Sequence, residues 1–222
     1  STTSSEITGL TNGTQYTFTV KAKNVVGWSS LSQSNAVIPA TTSGAPHISN
    51  LVAGDEKVTI TWTAPADTGG LDIEEYGITT SPGNSKKTVG AGTLSTDITG
   101  LTNGTSYTFT VRAKTSIGYG QFSASSTSIK PRTVPGKPTN VSGVTGNAQV
   151  NVSWDVPSSD GGSPVTGYVV TVSPGGSSVA VGAGVTSKLM TGLTNGTEYT
   201  FTVKAKNIAG TGQLSSQSTG VI

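Results

Sequence analysis

The chain has 222 residues, of which only 11% are charged, and a net charge of +2. Its basic residues form no cluster, so the sequence gives little support for binding to nucleic-acid phosphates. Cysteine is absent, which excludes disulfides, thiolate metal sites and cysteine nucleophiles.

One motif recurs three times along the chain. ITGLTNGTQYTFTVKAKN at residues 7–24 returns with few changes at 98–115 and 190–207. Leu10 and Leu101 are 91 positions apart, and Leu101 and Leu193 are 92 apart. A period near ~90 residues is in the size range of single domains and above that of solenoid units. We therefore expect each repeat to have its own core.

The first repeat, residues 1–40, is only the C-terminal part of a unit. Aligning Leu10 with Leu101 pairs Ser1 with Gly92, so the earlier strands have no counterpart. We expect the remaining strands to expose Tyr16, Phe18 and Val20. Either further residues of a longer array or strands from a neighbouring molecule would then cover them, and an intact-mass measurement distinguishes these alternatives.

The second and third repeats show the alternation of half-buried strands. Apolar side chains alternate with threonine and basic residues, which places them on one face of each strand. AsnGly, ProGly and GlyGly pairs separate the short strands, as in an all-β sandwich. The alternating apolar positions are Val58, Ile60, Trp62, Tyr107, Phe109, Val111 and Ala113, and again Val150, Val152 and Trp154.

The order of these elements resembles the fibronectin type III domain. A Pro-rich entry precedes a strand that ends in Trp, followed by a GlyGly loop, Ile73-x-x-Tyr76-x-Ile78 and Leu-x5-Tyr-x-Phe-x-Val. The resemblance implies immunoglobulin-like sandwiches with strands A, B, C, C′, E, F and G. It implies domains at 45–132 and 133–222, preceded by strands E, F and G of a repeat at 1–40. The segments DGGSPVTGY (160–168) and LTNGTEYTFTV (193–203) are most similar to the versions carried by bacterial secreted and surface proteins.

The resemblance also assigns structural roles to aromatic residues. It implies a tyrosine corner at the start of each strand F, in which the hydroxyl hydrogen-bonds upstream backbone and the ring packs beside a leucine. These residues support the fold and bind no ligand. The corner tyrosines are Tyr16, Tyr107 and Tyr199, the leucines are Leu10, Leu101 and Leu193, and the core tryptophans are Trp62 and Trp154.

No catalytic residues, cofactor site or metal site emerge from the sequence, so we predict a protein that is not an enzyme. Asp72, Glu74 and Glu75 form an acidic cluster that we interpret as a solvated loop. A single histidine, His47, cannot form a His pair for a metal or a charge-relay system. The AsnGlyThr sequons at 12, 103 and 195 are explained by turn chemistry.

The loop between strands F and G differs most among the repeats. It places Trp28 in the first repeat and Tyr119 in the second, where each is a candidate contact for a partner protein or carbohydrate. The alternative is simple packing against the adjacent repeat. Phe122 aligns with Leu31 and Leu214, so we predict that it belongs to the core.

We predict a non-enzymatic extracellular structural or adhesion array that acts as a spacer or surface-assembly component. Partners would be other protein modules, neighbouring subunits or cell-surface polysaccharide. No apolar run approaches the ~20 residues that span a bilayer, and we expect any signal or anchor to lie elsewhere. Short linkers at 40–45 and 130–135, the latter stiffened by two prolines, would hold the repeats in an extended rod. The alternatives are an accessory segment of a secreted polysaccharide-degrading enzyme and a decoration domain of a phage particle.

Overall fold

The computed structural model describes residues 3–222, and every regular element in that range is a β-strand. The predicted all-β fold class is therefore confirmed. The first two residues of the fragment predicted at 1–40 lie outside the described residues. Within the described range, no helix is long and apolar enough to cross a membrane.

Sixteen strands make up the regular structure of the described residues. They are β1 (Thr19–Val20), β2 (Ser32–Gln33), β3 (His47–Gly54), β4 (Lys57–Thr63), β5 (Glu75–Ser81), β6 (Lys86–Gly90), β7 (Ser95–Thr99), β8 (Thr108–Thr115), β9 (Gly118–Tyr119), β10 (Thr139–Gly146), β11 (Gln149–Asp155), β12 (Gly167–Ser173), β13 (Ser178–Gly182), β14 (Ser187–Thr191), β15 (Thr200–Asn207) and β16 (Gly210–Leu214).

The described chain divides into two compact units. The first contains the described residues up to Asn50, together with Ile60–Thr96 and Tyr107–Thr127. The second contains Leu51–Thr59, Asp97–Ser106 and Ser128–Ile222. The first repeat therefore lies in the first unit and the third repeat in the second.

The first repeat forms a single two-stranded hairpin. β1 pairs antiparallel with β2, and an isolated bridge joins Tyr16 to Val37. The structure assigns no strand to residues 3–8, where most of strand E was expected. Val20, on β1, is 67% exposed.

The second repeat has seven strands in two sheets. The four-stranded sheet has the order β6-β5-β8-β9, and the three-stranded sheet has the order β3-β4-β7. β5 pairs antiparallel with β8, which sets Ile78 opposite Val111. Within the first unit, the Trp62 ring meets the Tyr76 ring edge-on, with centroids 5.5 Å apart. This edge-to-face pairing is favourable for aromatic rings.

The third repeat reproduces the arrangement inside the second unit. Its sheets have the orders β10-β11-β14 and β13-β12-β15-β16. The Trp154 and Tyr168 rings again lie 5.5 Å apart. Seven strands per complete repeat were predicted and are confirmed. The core consists of Val150, Val152, Trp154, Tyr168, Val170, Val172, Met190, Phe201, Val203 and Ala205.

The position predicted for Phe122 is wrong. Its side chain is 48% exposed, and its ring lies on the outside of the sheet. The neighbouring Ser123 takes the inward position, because its Oγ accepts a hydrogen bond of 3.0 Å from the Val111 N–H and it is 6% exposed. Leu31 and Leu214, with which Phe122 aligns, are also exposed.

Candidate functional site

Tyr119 lies on the outer face of the four-stranded sheet, where it is packed against its own repeat. The Arg112 guanidinium carbon is 3.9 Å from the Tyr119 ring centroid and 4.7 Å from the Phe122 ring centroid. Such cation–π contacts each contribute about 0.5–1 kcal/mol at exposed sites. A Cβ at Gly77 would lie 3.2 Å from Tyr119, so the missing side chain leaves room for the ring.

A hydrogen-bonded acid lies at the end of the same ring. The Tyr119 hydroxyl donates to Glu75 Oε1 at 2.7 Å, and Lys114 Nζ is 3.3 Å from that oxygen. The hydrogen bond from Tyr119, and then Lys114, lower the pKa of Glu75 below its ordinary value. The same hydrogen bond raises the pKa of Tyr119. Glu75 therefore belongs to a structural cluster and not to the solvated loop that we expected.

Trp28 remains the more accessible of the two predicted contact residues. It is 64% exposed, and Lys23 Nζ lies 5.4 Å from its ring centroid. The hairpin that carries it is closed by Asn24, whose Oδ1 accepts hydrogen bonds from the Val26 and Gly27 N–H groups. Trp28 and Tyr119 thus have different partners, and the structure does not bring them into one site.

The residues predicted to support the fold lie as follows. Trp62 and Trp154 are 1% and 3% exposed, and neither buried indole N–H has an acceptor among the described residues. The Tyr16 hydroxyl accepts from the Thr11 N–H at 3.0 Å, which lowers the pKa of Tyr16. The Tyr199 hydroxyl accepts from the Thr194 N–H at 3.2 Å. Tyr107 and Leu101 are buried, and Leu10 and Leu193 are half-buried.

The described residues contain no group of three or more His, Asp or Glu side chains that could hold a metal ion. Asp72 and Glu74 are exposed. The arrangement offers aromatic rings with basic side chains beside them.

A feature that sequence reasoning missed joins consecutive repeats. The AsnGly turn between strands E and F of one repeat, here the junction turn, lies against the GlyGly loop between strands B and C of the next, here the junction loop. A Cβ at Gly70 would lie 2.6 Å from the carbonyl carbon of Asn12. A Cβ at Gly162 would lie 2.7 Å from the carbonyl carbon of Asn103. Only glycine allows this approach of two backbones.

Backbone hydrogen bonds reinforce both junctions. In each, the glycine of the junction turn donates to the carbonyl of a proline within the linker or directly before it, and a linker threonine donates to the carbonyl of the first glycine of the junction loop. The linkers are therefore bonded on both sides. The four bonds run from Gly13 to Pro39, Gly104 to Pro131, Thr41 to Gly69 and Thr133 to Gly161, with lengths of 2.8–3.0 Å.

Comparisons with known proteins agree with this architecture. The family model described as "Fibronectin type III domain" matches residues 45–129 and 136–221. The chain is 34% identical over 172 residues to "Chitinase A1" of Niallia circulans, covering 74% of this chain and 23% of that protein. It is 31% identical over 230 residues to "Exoglucanase B" of Cellulomonas fimi, with 94% and 20% covered. It is 33% identical over 223 residues to "Receptor-type tyrosine-protein phosphatase eta" of Gallus gallus, with 99% and 15% covered.

Two seven-stranded sandwiches with a Trp–Tyr core pair and hydrogen-bonded junctions define a tandem array of immunoglobulin-like β-domains. The chain belongs to the fibronectin type III domain family. It spans about a fifth of the length of the relatives described above. The matched ranges begin at residue 45, so the membership of the first repeat stays a prediction from its sequence.

Proposed function

We propose that this chain is a noncatalytic spacer within an extracellular protein, and that it sets the separation of the modules on either side of it. The observation that carries the proposal is the junction, which occurs twice with the same backbone contacts. Domains at 45–132 and 133–222, after a partial repeat at 1–40, are part of this proposal.

The physical basis is the loss of freedom at each linker. A flexible Gly/Ser linker samples many end-to-end distances. Here Thr133 donates to Gly161, and Pro131 accepts from Gly104, so the linker residues are bonded to the repeats on both sides. The contact between Gly162 and the Asn103–Gly104 turn further restricts motion. A linker restrained in this way transmits position from one repeat to the next.

The spacer proposal is tested by a distance measurement. Because the chain lacks cysteine, Thr99→Cys and Thr191→Cys introduce unique labels at two exposed positions of the second unit. We expect a narrow distribution of label distances in electron-spin resonance. Gly162→Ala should broaden it, because the added Cβ meets the junction turn. Gly184→Ala is the matched control, since Gly184 also has a positive φ (+74° against +83°) and has open space around it. A broad distribution in the otherwise unchanged chain would contradict the spacer role.

A second candidate is an accessory segment of a polysaccharide-degrading enzyme. Two of the relatives carry the names chitinase and exoglucanase, and the chain matches only 23% and 20% of their lengths. The exposed Trp28 ring is a surface of the kind that stacks on sugars. Retention on chitin, cellulose and peptidoglycan, compared with Trp28→Ala and Tyr119→Ala, tests this candidate. If both variants are retained as well as the unchanged chain, or if nothing is retained, Trp28 and Tyr119 are excluded as carbohydrate contacts.

A further inference from the structure

We infer that the junction turn of the third repeat, at Asn195–Gly196, is a docking surface for the junction loop of another fibronectin type III repeat. The occupant we assign is a sandwich that carries a GlyGly pair between strands B and C, as the second and third repeats do. The inference concerns the partner of this turn and is independent of the spacer role.

The turn has the same backbone geometry as the two that are occupied. Gly196 has a φ of +81°, and Gly13 and Gly104 have φ values of +80° and +81°. The Thr197 N–H donates to the Thr194 carbonyl at 3.2 Å, as Thr105 donates to Thr102 in the second repeat. A Cβ at Gly196 would meet nothing within 4 Å, whereas at Gly104 it would lie 3.2 Å from Gly162. The third turn therefore has the shape of the others and an open surface.

The turn is also held in place from behind, so it needs no partner to form. Asn195 Oδ1 accepts from the Ala148 N–H at 2.8 Å, and Asn195 Nδ2 donates to Asn147 Oδ1 at 2.8 Å. In the second repeat, Asn103 makes the corresponding bonds with the Glu56 N–H and with Asp55. A preformed surface loses little conformational entropy on docking.

The surface selects a partner that has glycine, and therefore no side chain, at the point of contact. Both occupied turns meet a glycine whose Cβ would collide with their backbone, at Gly70 and at Gly162. Any residue other than glycine at that place would hold the two backbones apart. A GlyGly loop also supplies the carbonyl that accepts from a linker threonine, as Gly161 does for Thr133.

The test extends the chain by one repeat. Ile222 stands 92 positions after Lys130, so residues 131–222 appended directly after Ile222 reproduce the spacing of the existing junction. We expect the Gly196 N–H to exchange with deuterium at least roughly tenfold more slowly in the extended protein, because it gains a carbonyl acceptor. Replacing the counterpart of Gly162 in the appended copy by Ala should abolish this protection. The matched control replaces the counterpart of Gly184, which has a positive φ of +74° and open space around it, by Ala and should retain the protection.

Each outcome decides the inference. Unchanged exchange of Gly196 in the extended protein overturns it, and so does protection that survives the replacement in the junction loop. If the replaced copy does not fold, Gly70→Ala in the 222-residue chain serves instead, because it tests the same contact in the second repeat. There the Gly13 N–H, which donates to the Pro39 carbonyl, should lose its protection while core amides such as Val111 keep theirs. Protection of Gly13 that persists overturns the requirement for glycine.

Discussion

The side-chain amide of Asn207 donates a hydrogen bond of 2.8 Å to the backbone carbonyl oxygen of Thr133, 74 positions earlier in the chain. The same Nδ2 donates to the carbonyl of Asp160 at 2.8 Å. Its Oδ1 accepts from the N–H groups of Ala209 and Gly210. A single buried amide therefore joins the linker, the loop after strand B and the turn after strand F.

Replacing Asn207 should destabilise the third repeat strongly. Asn207→Ala leaves the carbonyls of Thr133 and Asp160 and two turn N–H groups without their partner, and each buried unsatisfied group costs about 1–3 kcal/mol. We expect a loss of about 2–4 kcal/mol, since some of these groups regain water. Hydrogen exchange of amides assigned to each repeat measures this loss of stability. The corresponding Asn24→Ala in the exposed first hairpin is the control, and an equal loss at both positions would contradict the explanation.

The second repeat carries Thr115 at the position of Asn207. Thr115 is fully buried, and its hydroxyl has no hydrogen-bond partner among the described residues. Thr115→Asn restores the turn-closing acceptor and should raise the free energy of unfolding of the second repeat by about 1 kcal/mol. Thr115→Val removes the unsatisfied hydroxyl with little change of shape and gives a reference. An asparagine variant less stable than the valine variant would show that the network cannot form there.

The buried tryptophans predict a graded response to substitution. Trp62→Ala should cost about 3–5 kcal/mol, because it opens a large cavity. Trp62→Phe should cost less than half as much, because it keeps most of the apolar contact and removes an indole N–H without an acceptor. Chemical denaturation measures both, with Trp154→Phe as the matched variant. A phenylalanine variant as unstable as the alanine variant would indicate a missed acceptor.

The Glu75 cluster makes the second repeat sensitive to acid. Because the folded-state pKa of Glu75 lies below its ordinary value of 4.5, its stabilising effect is present above that pH and is lost as the pH falls through the folded-state pKa. Glu75→Gln should flatten this part of the dependence of the second repeat's unfolding free energy on pH. The third repeat has Gly167 at the matching position and provides an internal control. The raised pKa of Tyr119 predicts a second loss above pH 10, which Tyr119→Phe should remove.

Two valines at matching positions test the exposure of the first repeat. Val20 is 67% exposed and Val111 is 0% exposed. In the 222-residue chain, Val111→Thr buries a hydroxyl and should destabilise the second repeat by about 1–3 kcal/mol. Val20→Thr should change stability by less than about 0.5 kcal/mol and should reduce self-association in sedimentation experiments. A large effect of Val20→Thr on stability would mean that another surface covers it.

Periodicity predicted the regular parts of the fold. Alternating residues such as Val58 and Ile60 identify strands, and the shared positions of Trp62 and Trp154 identify the core. Strands of this kind form wherever one face is apolar, so local pattern and structure agree. The prediction for Phe122, which rested on alignment, failed because Phe122 lies beyond the end of β9 and alignment does not tell which of two neighbouring residues faces inward.

The junction and the Asn207 network could not be predicted in this way. AsnGly and GlyGly were each recognised as turns, but the contact between Gly104 and Gly162 depends on the packing of distant segments. Likewise, Asn207 resembles any exposed asparagine in a turn until its carbonyl partners are located. Tyr119 was treated as a candidate contact, and only the position of Arg112 and Gly77 shows that its ring is already packed within its own repeat.

The junction between repeats has a consequence for how such arrays change length. A contact made by side chains requires matched substitutions whenever a new neighbour is introduced. Here the facing atoms belong to the backbone, so a duplication of about 92 residues of coding sequence carries both halves of the contact with it. Copies can then diverge elsewhere, as Trp28 and Tyr119 have, without losing the ability to stand next to one another.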